Sequence, residues 1–189
     1  MNKLPELFNE FPMLEIGDYT LRRIELTDAH DIYDIYSDIE VMKYQGESPI
    51  PAMEQITEFI EFIDSGFNKK FFIRWCISDK VTNKVIGLIS FHHIDYKNNN
   101  GQIGYILNRL YWGKKLMSTL VLETIRYLFT NLDVHKLEVS IHPENISSIK
   151  LAEKVGFIDE GLRKDCIYND YKEQYESRVI MGLINALKE

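Results

Sequence analysis

The chain is short of the residues that would commit it to several familiar classes. Its 189 residues hold two cysteines, Cys76 and Cys166, too few for a disulfide framework and without the Cys/His spacing of a metal site. It lacks a basic excess: 22 Lys and Arg against 29 Asp and Glu leave a formal charge of −7, which argues against nucleic-acid binding or attachment to an anionic membrane. No apolar run approaches the ~20 residues of a membrane span, and Met1 to Pro12 is charged and has no secretory apolar core. A cytoplasmic location is expected. The glycines of a P-loop or a dinucleotide fold are missing too, since Gly113 is the only one in the candidate loop. No repeat or low-complexity linker divides the chain.

What is present reads as globular, with 45% hydrophobic and 27% charged residues. The length suits one domain over residues 1–189, with 1–17 as a leader whose Leu7, Phe8 and Phe11 pack on the rest. Tyr19 to Ile24 alternates as a strand, and Thr27 is the expected N-cap of a helix carrying Ile32, Ile35 and Tyr36 inward. A second helix places Ile56, Phe59, Ile60 and Ile63 on one face and is expected to stop at Gly66. Phe71–Ser78 and Lys84–His92 form a hairpin about Asp79–Asn83. The stretch that organises the chain follows: a strand from Gly101 to Asn108, a turn through Gly113, and an amphipathic helix from Leu116 to Asn131. The last third contains a strand at Lys136–His142, a helix beginning near Asn145 and closed by Gly156, and a hairpin of Phe157–Asp165 with Glu173–Leu183.

Three stretches resemble the GNAT superfamily of N-acetyltransferases, in particular its RimJ/RimL-like branch. They are Tyr19 to Ala29, Gly104-Tyr105-Ile106-Leu107 through Trp112-Gly113-Lys114, and Asn145-Ile146-Ser147-Ser148 through Lys154-Val155-Gly156-Phe157. Their order and spacing extend the resemblance from Tyr19 to about Leu183. It implies an α/β (α+β) fold: a mixed, mostly antiparallel sheet of about seven strands, flanked by helices and splayed at an acetyl-CoA site. It also implies transfer of an acetyl group to a primary amine by direct attack in a ternary complex. The acceptor is left open between a protein N-terminal α-amine and a small amine, and so is a homodimeric state. A rival reading is a CoA-binding sensor with little transferase activity. Two departures keep it open. Lys115 stands where the loop usually carries a glycine or alanine, and Ala152 where many relatives carry a tyrosine that protonates the leaving thiolate.

The resemblance distributes roles along these stretches. Trp112, Gly113, Lys114, Lys115, Leu116, Met117 and Ser118 would hold the pyrophosphate at a helix N-terminus, where unpaired N–H groups and the helix dipole favour an anion. Ile106, Leu107 and Asn108 would run beside the pantetheine arm, and the Leu107 N–H would polarise the thioester carbonyl as an oxyanion hole does. Asn145 would hold a pantetheine amide, and Ser148 would be the general acid for the departing sulfur. On its residues alone Ser148 is an ordinary helix-start serine. No metal is required. Gln102 replaces the glutamate often found in related enzymes, so the general base stays open among His92, His93, His142, Glu138, Asp165 and Tyr168. At Lys115 the expected backbone has negative φ, with the ammonium turned to a CoA phosphate.

Overall fold

A computed structural model of the chain describes residues 3–186. It begins with a 3-10 turn, Leu4–Phe8, that buries Leu4, Leu7 and Phe8. Strands β1 (Leu14–Ile16) and β2 (Tyr19–Arg22) follow, then helices α1 (Ala29–Tyr36), α2 (Ile39–Met42) and α3 (Glu54–Asn68). Strands β3 (Ile73–Asp79), β4 (Val85–Asp95) and β5 (Asn100–Leu107) lead into helix α4 (Leu116–Thr130). The chain then forms β6 (Lys136–Ile141), α5 (Ile146–Lys154), β7 (Ile158–Asn169) and β8 (Gln174–Ile184).

The strands make one sheet in the order β1-β2-β3-β4-β5-β6-β8-β7, antiparallel throughout except where β5 lies parallel to β6. A parallel neighbour needs a crossover, which α4 supplies. Side-chain alternation then splits the core into two layers. On one face α4 buries Leu120, Val121, Ile125 and Leu128 against Ile89, Phe91, Ile103 and Leu137, together with the N-terminal turn. On the other, Ile32, Ile35, Ile56, Ile60 and Ile63 of α1 and α3 pack on Cys76, Leu88 and Ile106.

The mixed, mostly antiparallel sheet expected at about seven strands has eight; β1 is only three residues long and its hairpin with β2 closes through Gly17, too short a run to show periodicity. Two other expectations are corrected. The residue at the N-cap of α1 is Asp28 rather than Thr27, and its side chain makes no hydrogen bond to the helix. The Asp28 carboxylate instead accepts the Glu25 N–H at 2.8 Å, in a capping box over the 3-10 turn Leu26–Asp28, and takes a two-pronged ion pair from Arg22, whereas the Thr27 hydroxyl donates to the Glu25 carboxylate. Gly66 does not end α3. It lies inside the helix because the Phe72 ring passes where a β-carbon would be, within 2.2 Å of its position, and the helix stops two residues later at Asn68.

Candidate active site

The site begins where the sheet comes apart. Pairing between β5 and β6 ends at Gln102↔Glu138, while β6 goes on pairing with β8 as far as Ile141. The Asn108 N–H donates to the Ile86 carbonyl at 2.8 Å, which makes Leu107↔Gly87 a pair without direct hydrogen bonds. Tyr105 and Leu107 therefore turn their backbone groups away from β4, toward the gap. The Trp112 indole N–H donates to the Leu107 carbonyl at 2.8 Å, so at Leu107 the N–H is the group presented to the cleft. The cleft along this gap has a volume of about 840 Å³ and reaches from the start of α4, past the first turn of α5, to the segment after α2.

The loop before α4 is short and tightly turned. Asn108 is buried and caps a 3-10 turn, its side chain accepting the Leu110 N–H at 3.0 Å. Trp112 is extended, Gly113 has φ +74° and Lys115 has φ +58°, ψ 7°, and the helix starts at the next residue. Reversing the chain in so few residues needs left-handed backbone, so the negative φ expected at Lys115 is corrected: a lysine occupies a glycine-like conformation at a cost of about 1 kcal/mol. The ammonium of Lys154, from α5, donates to the Ser118 hydroxyl at 3.3 Å. Lys115, Lys150 and Lys154 all line the cleft, Lys115 at the N-cap of α4 and Lys154 against its first turn, an assembly of N–H groups, dipole and cations suited to a phosphate. Lys150 and Lys154 were not among the expected site residues. Their spacing of one helical turn was the available signal.

Asn145 is the N-cap of α5, its side-chain oxygen accepting the Ser148 N–H at 3.2 Å and the Ser147 hydroxyl at 2.9 Å. This fixes Ser148 in the first turn with its hydroxyl 2.8 Å from that of Tyr105. Burial pushes the Tyr105 phenol up to about 12, so at neutral pH it is a hydrogen-bond partner rather than an anion. Of the expected site residues, Ile106, Leu107, Trp112, Gly113, Lys115, Leu116, Met117, Ser118, Asn145 and Ser148 line the cleft. Asn108 and Lys114 do not: the first serves as the cap, and the second lies over the Tyr111 ring at 5.0 Å.

The far end is walled by Tyr44, whose ring lies 5.0 Å from that of His142. Of the proposed bases, His142 alone lines the cleft among the described residues. Its Nδ1 accepts the Glu144 N–H at 3.2 Å, which puts its proton on Nε2, 3.8 Å from buried Glu176. Burial, opposed by Glu176, lowers its pKa, so the ring is neutral but its lone pair is already engaged. Burial would raise the Glu176 carboxyl, yet hydrogen bonds from Lys172 at 2.8 Å and Arg178 at 3.0 Å hold it below the usual carboxylate range. His92 faces Gly104, with Nδ1 2.6 Å from that of His93. Glu138 is held by Lys136, and Asp165 and Tyr168 lie on exposed β7. Among the described residues no group of three or more His, Cys, Asp or Glu is placed to hold a metal ion, and no helix is long and apolar enough to cross a membrane.

Comparison with known proteins bears on this geometry. A family profile described as an acetyltransferase (GNAT) domain matches residues 18–158. The chain is 38% identical over 146 residues to an uncharacterized N-acetyltransferase, p20, of Bacillus licheniformis, covering 77% of this chain and 82% of that one. A crystal structure of spermidine N-acetyltransferase from Vibrio cholerae, in complex with CoA and spermine, superposes with a TM-score of 0.77 at 23% identity, over 90% of this chain and 98% of the other. Ribosomal-protein-S5-alanine acetyltransferase from Vibrio fischeri superposes with a TM-score of 0.75 at 23% identity, over 93% and 97%.

Proposed function

The chain belongs to the GNAT family of acetyltransferases and is an acetyl-CoA-dependent N-acetyltransferase; from this premise we propose that it acetylates a primary amine, by direct attack on the thioester in a ternary complex held in the cleft between β5 and β6. The observation that carries the reading is the alignment, along one cleft, of the α4 N-terminus with its lysines, the Leu107 N–H and the Ser148 hydroxyl. CoA would place its pyrophosphate at the first end, with Lys115, Lys150 and Lys154 around it. Its pantetheine arm would run past Tyr105 and Leu107 as a strand-like partner in the gap left by β6. The thioester carbonyl would then accept from the Leu107 N–H, and the sulfur would lie beside Ser148.

The amine enters past Tyr44 and Glu40 and attacks the carbonyl carbon as the neutral base. Since the His142 lone pair is engaged, its proton passes to water. Collapse of the tetrahedral intermediate breaks the C–S bond, and Ser148 protonates the leaving sulfur. Of the two solved structures that superpose, one is a spermidine N-acetyltransferase in complex with CoA and spermine and the other a ribosomal-protein-S5-alanine acetyltransferase, so both a small amine and a protein stay open as the acceptor. The motifs of Trp112–Lys114 and Asn145–Ser148 favour the RimJ/RimL-like branch, and the net charge of −7 favours a cationic acceptor.

The test is thiol release from acetyl-CoA across a panel of polyamines, amino acids, aminoglycosides and N-terminal peptides, followed by S148A with the best acceptor. The variant is expected to lose kcat by about 10²-fold, at the low end for a positioned acid because water can substitute, with CoA affinity unchanged. Wild-type turnover by S148A would return that residue to an ordinary helix start.

A further inference from the structure

Ser148 does not act from an isolated position. Tyr105 reaches it from β5, with its hydroxyl 2.8 Å from Ser148 Oγ and 3.2 Å from the Ser148 carbonyl oxygen. The Tyr105 ring packs against the apolar layer on the α4 face, a place that phenylalanine would fill equally well. The hydroxyl therefore contributes nothing to that packing, and at such a site it persists because it has a partner. The Ser148 carbonyl, inside α5, already receives a helical N–H from Ala152 one turn later. The shorter contact and the unclaimed lone pairs are both at Oγ. Ala152 itself is buried and offers only a methyl group, so the phenol at this turn of the helix comes from the strand.

We propose that Tyr105 is a positioning residue for acetyl transfer: its phenol donates to Ser148 Oγ, which turns the Ser148 proton toward the thioester sulfur and places a replacement proton behind it. The proposal rests on the reading of Ser148 as the general acid. When the C–S bond of the tetrahedral intermediate breaks, its electron pair stays on sulfur. Sulfur takes the Ser148 proton, Oγ takes the phenol proton, and the phenol takes a proton from water in turn, so that no charge rests on the buried Tyr105 oxygen. The proton drawn from water balances the one the attacking nitrogen released to water. Without Tyr105 the charge would remain on a serine alkoxide, and the serine proton would have no fixed direction.

Three variants, Y105F, S148A and the double, are compared with wild type using acetyl-CoA and one acceptor amine. Y105F is expected to lower kcat by about 10- to 100-fold while the KM for acetyl-CoA and the calorimetric Kd for CoA stay within about two-fold. The double variant is expected to be no slower than S148A alone, because the two hydroxyls work as one unit. Rates of the wild type in H2O–D2O mixtures should fall along a bowed line, from more than one proton in flight, and this measurement needs no variant. A straight line overturns the proposal. Wild-type turnover by Y105F beside a slow S148A overturns it and leaves the Ser148 reading standing. Losses that multiply in the double variant also overturn it, and wild-type turnover by S148A removes the Ser148 reading and the relay together.

Discussion

Replacing Lys115 by glycine and by alanine separates two quantities that the wild-type residue combines. At φ +58°, ψ 7° any side chain with a β-carbon is strained, so lysine and alanine bear the same backbone cost and glycine is relieved of it. The relief is about 1 kcal/mol, which for a chain of this size raises Tm by about 2–4 °C. The charge is lost equally in both variants. Because Lys115 is exposed, its contact with a CoA phosphate is screened and contributes less than about 1 kcal/mol, so the Kd for CoA rises by no more than about five-fold. Calorimetric titration of CoA at low and high salt, with melting curves on the same samples, reads both. Lys115→Gly should melt above Lys115→Ala and the wild type, both variants should bind CoA alike, and the difference from wild type should shrink with salt. Equal melting of the two variants would refute the strain. Tighter CoA binding by Lys115→Gly than by the wild type would show the lysine to be an obstruction.

Gly66→Ala gains roughly 1 kcal/mol of helix propensity but drives a methyl group into the Phe72 ring, so a net loss of about 1–2 kcal/mol is expected in urea unfolding, and the loss should vanish in a Phe72→Leu background. Burial, then the neighbouring His93 and Arg74, lowers His92 to about 4 in the folded chain against about 6.5 unfolded. The unfolded state therefore takes the proton first as pH falls. Stability is intact above pH ~6.5 and declines by about 3 kcal/mol between ~6.5 and ~4. His92→Asn should flatten that limb of the urea-midpoint curve, and an unchanged limb would mean that His92 does not cause it.

The parts of the site that follow from local pattern are readable before the fold is known. Alternation in β5, the apolar face of α4 and the Asn145 cap each lie within one short segment. What is not readable is what the fold brings together from far apart. Lys154 meets Ser118 across 36 residues, and on α5 alone it reads as part of a solvated face. Tyr105 meets Ser148 across 43 residues, and in a strand it reads as one more aromatic. The left-handed backbone at Lys115 is marked only by the glycine or alanine that resembling loops carry there, because lysine itself does not announce it, and Gly66 reads as a helix stop because the Phe72 ring above it is a tertiary fact. His92, His93, Glu138, Asp165 and Tyr168 stay outside the cleft lining for the same reason: chemistry alone made them candidates, and strand register decided their faces.

Initial velocities measured with acetyl-CoA and the best acceptor amine, each varied at several fixed levels of the other, test direct transfer most plainly. Attack within a ternary complex gives double-reciprocal lines that intersect, and no acetylated enzyme is recovered when acetyl-CoA is added alone. Parallel lines, together with an acetyl group bound to the protein in the absence of amine, would contradict the account.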